Sequence, residues 1–204
     1  MKYWADTPEG FEVRQVQPSE AEMLAPELDR VMRSSWLDRL GLVMKEADFE
    51  KIDNPYNPRL EAEQDRIAKG EAVYAAAHSL FGDNVLIGWV RLETDPMLRI
   101  SNLEVSPAPQ SSFIGAALLD IILEPQKPKS PVMITSEQAN QPGLNWLQGL
   151  GFVPNQHRLR RNLPNVPEEE YPSQPVLVHL IAPNVLAVRK ALYEQRSQLG
   201  RLRS

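Results

Sequence analysis

The chain has 204 residues, of which 42% are hydrophobic and 24% are charged, and its formal net charge is −5. That length suits one domain with a sizeable core, and no apolar run approaches the roughly 20 residues that a membrane span requires. The negative charge argues against binding nucleic acid by neutralising phosphates, and the absence of cysteine excludes disulfides and thiolate nucleophiles. We therefore expect no membrane and no nucleic-acid partner.

The first part of the chain reads as a strand followed by a helix. The opening residues have one lysine and no apolar stretch, which is unlike a signal peptide and predicts a cytoplasmic location. Apolar residues from Phe11 indicate a short strand that stops at Pro18. Ser19 and Glu22 have the spacing of a capping box, so a helix is predicted from there to about Trp36.

A second helix is predicted after a stretch rich in turn formers. Pro58 suits the first helical position, and Asn57 before it suits the cap. Leu60 and Ile67 would face inwards, and Gly70 would end the helix.

From about residue 71 the sequence pattern becomes typical of strands. "AVYAAAHSL" and "VLIGWVRLET" are strand-like runs separated by "FGDN", which predicts a hairpin. "LRISNLEV" supplies a third neighbouring strand, and "PVMIT" a further one after an intervening helix. That helix stops at Pro125, and its apolar residues at helical spacing are Ile114, Ala117, Leu118, Ile121 and Ile122.

The remainder alternates helix, strands and helix. "NQPGLNWLQGLGF" predicts a short helix capped by Asn140 or Gln141 and ended by Gly151. Strands follow at about 152–162 and 175–182, and a last helix at about 184–202. The predicted fold class is α/β (α+β), with a mixed central sheet of about seven strands flanked by helices. The predicted domain covers 1–183; the extension 184–204 would pack on it or on a second subunit, as in a homodimer.

One strand, loop and helix could hold a ligand. Free backbone N–H groups cluster at a helix N-terminus, where the helix dipole also favours anions. The amides that would be presented to a phosphate group here belong to Ser111, Ser112, Ile114, Gly115 and Ala116. The alternative is that Gly115 only relieves crowding between this helix and the sheet.

Two sequence motifs, in the order in which a known family has them, indicate a family resemblance over about residues 11–162. Val105, Pro107, Gln110 and Gly115 match the loop pattern V-x-P-x-x-[QR]-x-x-G-x-[GA]. Asn140, Gly151 and Phe152 match a later helix pattern at the same spacing, and "LIGWV" looks like the third strand. In these features the chain resembles the GNAT (Gcn5-related N-acetyltransferase) superfamily.

The resemblance implies an acyl-CoA-dependent N-acetyltransferase with acetyl-CoA as co-substrate and no metal. An amine of a small molecule or protein would attack the thioester directly, without a covalent enzyme intermediate. Glu104 is the first candidate for the base that removes the amine proton, and Glu93 the second; for each, a solvated strand carboxylate is the alternative. The implied coenzyme contacts are Leu103, Val105, Gln110, Ser111, Ser112, Phe113, Ile114, Gly115, Ala116 and Asn140.

Two departures from the family pattern favour a second reading. Phe113 replaces the first loop glycine, and a bulky residue is disfavoured at positive φ. Leu147 stands where the family usually has a tyrosine that protonates the departing thiolate, and leucine has no proton to give. The alternative function is a catalytically degenerate module that binds a ligand or partner protein.

Other conspicuous residues favour ordinary roles. The three histidines His78, His157 and His179 lack the spacing of metal ligands, so no metal is predicted. Arg158, Arg160 and Arg161 could meet a coenzyme phosphate, although an exposed strand face explains them as well. Trp36, Tyr56 and Trp89 could line a pocket for the acceptor, although packing in the core or at its rim explains them as well.

Overall fold

The computed structural model of the chain describes residues 10–40, 57–80, 85–106, 111–137, 140–160 and 176–201. The strands are β1 (Phe11–Gln15), β2 (Val73–Ser79), β3 (Leu86–Glu93), β4 (Leu98–Val105), β5 (Val132–Glu137), β6 (Val153–Arg160) and β7 (Val176–Ala182). The helices are α1 (Ala21–Leu40), α2 (Asn57–Lys69), α3 (Ser111–Leu123), α4 (Gln141–Gly149) and α5 (Val185–Arg201).

The strands form one mixed seven-stranded sheet with the order β1-β2-β3-β4-β5-β7-β6. Strand β2 pairs antiparallel with β1 and with β3, which confirms the predicted hairpin. Strand β4 pairs parallel with β5, as expected for strands joined through a helix. Strand β7 pairs antiparallel with both β5 and β6. The predicted fold class, a mixed sheet of seven strands flanked by helices, is confirmed.

The chain divides into two compact units. The first comprises Met1–Thr94 and Ser101–Gln126, and the second comprises Asp95–Ile100 and Lys127–Ser204. Strand β4 contributes to both, since Leu98–Ile100 pairs with β5 and the strand continues from Ser101 into the first unit. Helix α5 belongs to the second unit. The predicted domain boundary at residue 184 stays a prediction.

The first unit has helices on both faces of its strands. Trp89 on β3 packs in an apolar cluster with residues of α1 and α2, which include Leu24, Leu28, Val31 and Ile67. The neighbouring residue Gly88 faces α3 instead, because successive strand residues point to opposite faces. Ile67 is only 3% exposed, so its predicted inward position is confirmed. The side chain of Leu60 lies outside the described residues.

The helix that follows β1 is confirmed, but its predicted cap is wrong. Ser19 lies inside a 3₁₀ turn, Pro18–Glu20, that precedes α1. The backbone N–H of Gln17 donates to the Glu20 carboxylate at 2.7 Å, so the side chain that supports this helix start is Glu20 and not Glu22. Helix α1 also runs to Leu40, beyond the predicted end near Trp36.

Two glycines end helices as predicted. Gly70 follows α2 with φ +66°, and Gly151 follows α4 with φ +88°; such left-handed backbone is accessible to glycine without a Cβ clash. In α3 the predicted apolar face is partly wrong, because Leu119 is buried whereas Ile121 is half-buried. The buried residues Ala117, Leu118 and Leu119 are consecutive, so α3 is covered on more than one side.

The second unit buries one side of its strands together with α5. The core includes Val132, Ile134, Leu180 and Ala182 from the strands, and Val185, Val188 and Leu192 from α5. The side-chain oxygen of Asn184 accepts from the Ala187 N–H at 2.8 Å and caps the helix. Within the described ranges, no helix is long and apolar enough to cross a membrane.

A buried histidine in the first unit predicts how stability changes with pH. His78 on β2 is only 6% exposed. Burial lowers the pKa of its imidazole, Arg14 lowers it further, and Glu27, Glu12 and Glu20 oppose the change. The folded protein therefore binds a proton at His78 less readily than the unfolded chain does.

We expect the free energy of unfolding to fall as pH drops below about 6.5, the ordinary histidine value, because the unfolded chain then takes up the proton first. Glu20 contributes only at lower pH: a hydrogen bond from Arg14 lowers the pKa of this carboxyl group, so its stabilisation is lost well into the acid range. Urea unfolding at pH 7.5 and 5.5 measures the change, and each unit of lowered pKa corresponds to about 1.4 kcal/mol. His78→Gln should flatten the slope; an unchanged slope contradicts the assignment.

Candidate functional site

Strand β4 carries the predicted base. Glu104 is 6% exposed, and within the described part of the chain His78 and Arg91 are the other buried polar or charged side chains. Its neighbours Leu103 and Val105 are half-buried. A buried carboxyl group retains its charge only where nearby groups replace the lost water. The solvated-carboxylate alternative for Glu104 is therefore wrong.

The five residues predicted to present amides all lie at the start of α3. Helix α3 begins at Ser111, so the amides of Ser111 and Ser112 have no carbonyl one turn earlier within the helix. The amides of Gly115 and Ala116 lie deeper, where an α-helix pairs each N–H with the carbonyl four residues earlier. The expected set of free donors is thus reduced to the first residues of α3. Contact of any of them with coenzyme stays a prediction.

Gly88 on β3 lies close both to α3 and to the backbone of Glu104. A Cβ at this position would lie 3.0 Å from Cγ2 of Ile114, 3.2 Å from Cδ1 of Leu118 and 3.2 Å from the Glu104 carbonyl oxygen. The absent side chain therefore lets the first turns of α3 pack directly on β3 beside the strand that carries Glu104. A glycine inside a strand is a known sign of such close approach, but the sequence gives it no functional role.

Phe113 does not need the strained backbone that its position in the motif suggested. It lies within α3, where its backbone is helical, and its side chain is half-buried. Among the described residues, the glycines with positive φ are Gly10, Gly70 and Gly151. The predicted conflict between a bulky residue and a positive φ is therefore wrong.

In the second unit, Asn140 and Leu147 have structural roles. The Asn140 side chain accepts from the Gly143 N–H at 3.1 Å and caps α4, which decides between the two predicted caps. A Cβ on Gly143 would overlap the Asn140 side chain, so this cap depends on glycine there. Leu147 is 4% exposed and belongs to the core. Coenzyme contact by Asn140 stays a prediction.

A buried polar cluster in the first unit was not predicted from the sequence. Arg91 on β3 is 8% exposed and forms an ion pair with Glu63 of α2. Its Nε donates to the Ser101 hydroxyl on β4 at 2.6 Å. Glu93 lies 3.4 Å from another guanidinium nitrogen of Arg91, so this second candidate base is part of an ion pair.

Tyr74 extends the cluster from β2. Its hydroxyl donates to Glu63, and its ring stacks on Trp89 with centroids 6.3 Å apart. Burial and the Glu63 carboxylate raise the pKa of Tyr74 far above its ordinary value, so the phenol stays protonated. The Glu63 carboxylate also raises the pKa of Arg91, although burial acts against this. Arg91 therefore keeps its positive charge, and Tyr74 stays neutral.

The remaining sequence candidates are dispersed or not described. His179 on β7 has its Nδ1 3.0 Å from the Thr135 hydroxyl on β5. The described ranges contain no group of three or more His, Asp or Glu side chains placed to hold a metal ion. Gln110, Pro107, Tyr56 and Arg161 lie outside the described residues, as do the side chains of Trp36, His157, Arg158 and Arg160.

Comparison with known proteins gives similarity through structure alone. No family model matches the sequence, and no curated protein matches it. Similar solved structures include PaiA N-acetyltransferase from Thermoplasma acidophilum in complex with coenzyme A, with TM-score 0.55, 18% identity and coverage of 83% of this chain and 97% of the other.

Two further structures have TM-scores of 0.56. The ribosomal-protein-S5-alanine acetyltransferase from Vibrio fischeri is 14% identical over 90% of this chain and 97% of its own. Aminoglycoside 6'-acetyltransferase type Ii is 11% identical over 85% and 96%. The GNAT resemblance is thereby confirmed at the level of the fold, which is what identities this low establish.

Gly88 yields a prediction on stability. Gly88→Ala should lower the free energy of unfolding by about 1–3 kcal/mol, because the added methyl group meets a backbone carbonyl that cannot rotate away. Gly149→Ala is the matched control: its Cβ would have ordinary contact, 3.8 Å from Gln195 Nε2, and alanine favours a helix. Chemical denaturation measures both. Equal stability of the two variants would contradict the close packing at Gly88.

Proposed function

We propose that the protein is an N-acetyltransferase that moves an acetyl group from acetyl-CoA to a primary amine of a small molecule or protein. The observation that carries the proposal is the succession of β4, with buried Glu104, and α3, whose residues Ile114 and Leu118 pack against Gly88. The fold shared with structures of acetyltransferases supports it. We place the reaction in the cytoplasm, as the sequence predicts, and a homodimer stays a prediction.

In the proposed reaction the amine nitrogen attacks the thioester carbonyl carbon. A carbon–nitrogen bond forms, the carbon–sulfur bond breaks, and the coenzyme leaves as a thiolate that takes up a proton. The attacking amine must first be neutral, and the carboxylate of Glu104, directly or through water, accepts its proton. The backbone of Leu103 and Val105 would hold the pantetheine arm, and the first amides of α3 would hold the diphosphate.

The second candidate is a module that binds a ligand or partner without acetyl transfer. It is favoured by Leu147, which is buried in the core of the second unit where the family usually places an acidic tyrosine. Turnover of acetyl-CoA with any of a panel of amines, measured as release of free thiol, would remove this candidate. Binding without turnover over the whole panel would favour it.

Coenzyme binding is tested at the first residue of α3. Ser111→Pro removes one N–H at a helical position where proline is tolerated. We expect it to weaken acetyl-CoA binding about tenfold or more, because hydrogen bonds to charged groups are worth about 1.5–3 kcal/mol. Ser111→Ala keeps the amide and should bind within about twofold of wild type. Calorimetry measures all three proteins; no binding by wild type at millimolar acetyl-CoA defeats the proposal.

Catalysis is tested at Glu104. Glu104→Gln keeps the shape of the side chain but removes the base, so kcat should fall by about 10²-fold or more while the KM for acetyl-CoA changes little. The control is Glu22→Gln, which alters an exposed carboxylate on α1. Thiol release against an accepted amine is the measurement. Glu104→Gln activity within threefold of wild type would exclude Glu104 as the base.

A further inference from the structure

Three residues connect a helix and two strands of the first unit, and we call them the β4 clamp: Glu63, Arg91 and Ser101. Glu63 of α2 holds the guanidinium of Arg91, and the Arg91 Nε–H donates to the Ser101 hydroxyl at 2.6 Å. Both ionic members are well covered, with 10% of the Arg91 side chain and 15% of the Glu63 side chain exposed. Ser101 is thus the point at which this cluster reaches β4.

Ser101 also directly follows the part of β4 that pairs with β5. Up to Ile100 the strand pairs with β5, in register with Val132–Ile134. From Ser101 the strand belongs to the first unit, and directly after its end the Ser106 N–H donates to the Ile87 carbonyl of β3 at 2.8 Å. The short segment that carries Glu104 lies in the sheet beside β3, its hydrogen-bonded neighbour. The side-chain bond at Ser101 adds a second, directed connection to β3 just before this segment.

A gain in stability does not by itself explain why the protein has this covered ion pair. Removing two charges from water costs several kcal/mol per ion, and apolar residues of similar volume often replace a buried ion pair without loss of stability. What a charged pair adds is directionality, since the guanidinium presents its N–H groups in a fixed planar arrangement. The Arg91 Nε–H reaches Ser101 while its two terminal nitrogens meet Glu63 and Glu93.

We propose that Arg91 is a positioning residue for acetyl transfer, which acts through Ser101 to fix the β4 segment from Leu103 to Val105. This inference rests on the proposed function. Proton transfer to Glu104 requires the amine within about 3 Å of the carboxylate or of one intervening water. A misplacement of about 1 Å in a catalytic group lowers the rate by about 10²-fold. The clamp holds Glu104 and the flanking backbone in that arrangement without touching the substrate.

The test uses Ser101→Ala, which removes the acceptor of the Arg91 Nε–H and leaves the ion pair with Glu63 in place. We expect kcat to fall about tenfold or more, and the KM for acetyl-CoA to stay within about twofold. Ser101→Thr keeps a hydroxyl group and should restore most of kcat. Ser130→Ala, which removes a half-buried hydroxyl group in the second unit, is the control and should match wild type.

Hydrogen exchange separates positioning from general destabilisation. In Ser101→Ala the amides of Leu103–Val105 should exchange roughly tenfold faster, while those of Ala75–Ala77 in β2 should exchange as in wild type. A uniform increase in both strands would indicate lost stability and overturn the proposal. So would unchanged kcat, or reduced kcat without faster exchange in β4. Failure of wild type to bind acetyl-CoA instead defeats the proposed function, whatever this variant does.

Discussion

Helix α3 reaches the sheet as closely as it does because β3 has no side chain at Gly88. Atoms of Ile114 and Leu118, together with the carbonyl of Glu104, occupy the space in which a Cβ would stand. Interiors are packed densely enough that one added methyl group forces neighbours to move. The start of α3, the strand that carries Glu104 and the centre of β3 therefore form one packed unit, in which the position of each fixes that of the others.

The opposite face of the same strands has a different character. Tyr74 and Trp89 are each 2% exposed in an apolar cluster with residues of α1 and α2, and the ion pair of buried Arg91 with half-buried Glu63 lies beside Tyr74. Apolar contacts supply most of the stability of such a layer but little direction. Directed bonds are costly to bury and specify a single arrangement. Close packing on one face and directed bonds on the other thus restrain β4 from both sides.

Local signals explain what the sequence predicts correctly. Gly70 and Gly151 end helices because each adopts a backbone that other residues avoid, and the strands of the hairpin carry β-branched and aromatic residues. The capping error has a local origin too: Ser19 and Glu22 have the right spacing, but the 3₁₀ turn at Pro18 displaces the helix start. The Arg91 cluster has no such signal, because its partners Glu63, Tyr74 and Ser101 lie 10 to 28 positions away in sequence and meet only after folding.

In the proposed reaction, the lack of a tyrosine acid at position 147 matters less than the lack of a base at Glu104 would. An alkyl ammonium group with a pKa near 10.4 is neutral in only about one molecule in 2,500 at pH 7, so an acceptor amine needs help to lose its proton. The departing thiol has a pKa near 8.5, and its thiolate is a tolerable leaving group without a protein acid. Under the proposed function, Glu104 supplies the base and position 147 supplies no acid, so the residues present account for the more demanding of the two proton transfers. Water can supply the remaining proton to the thiolate.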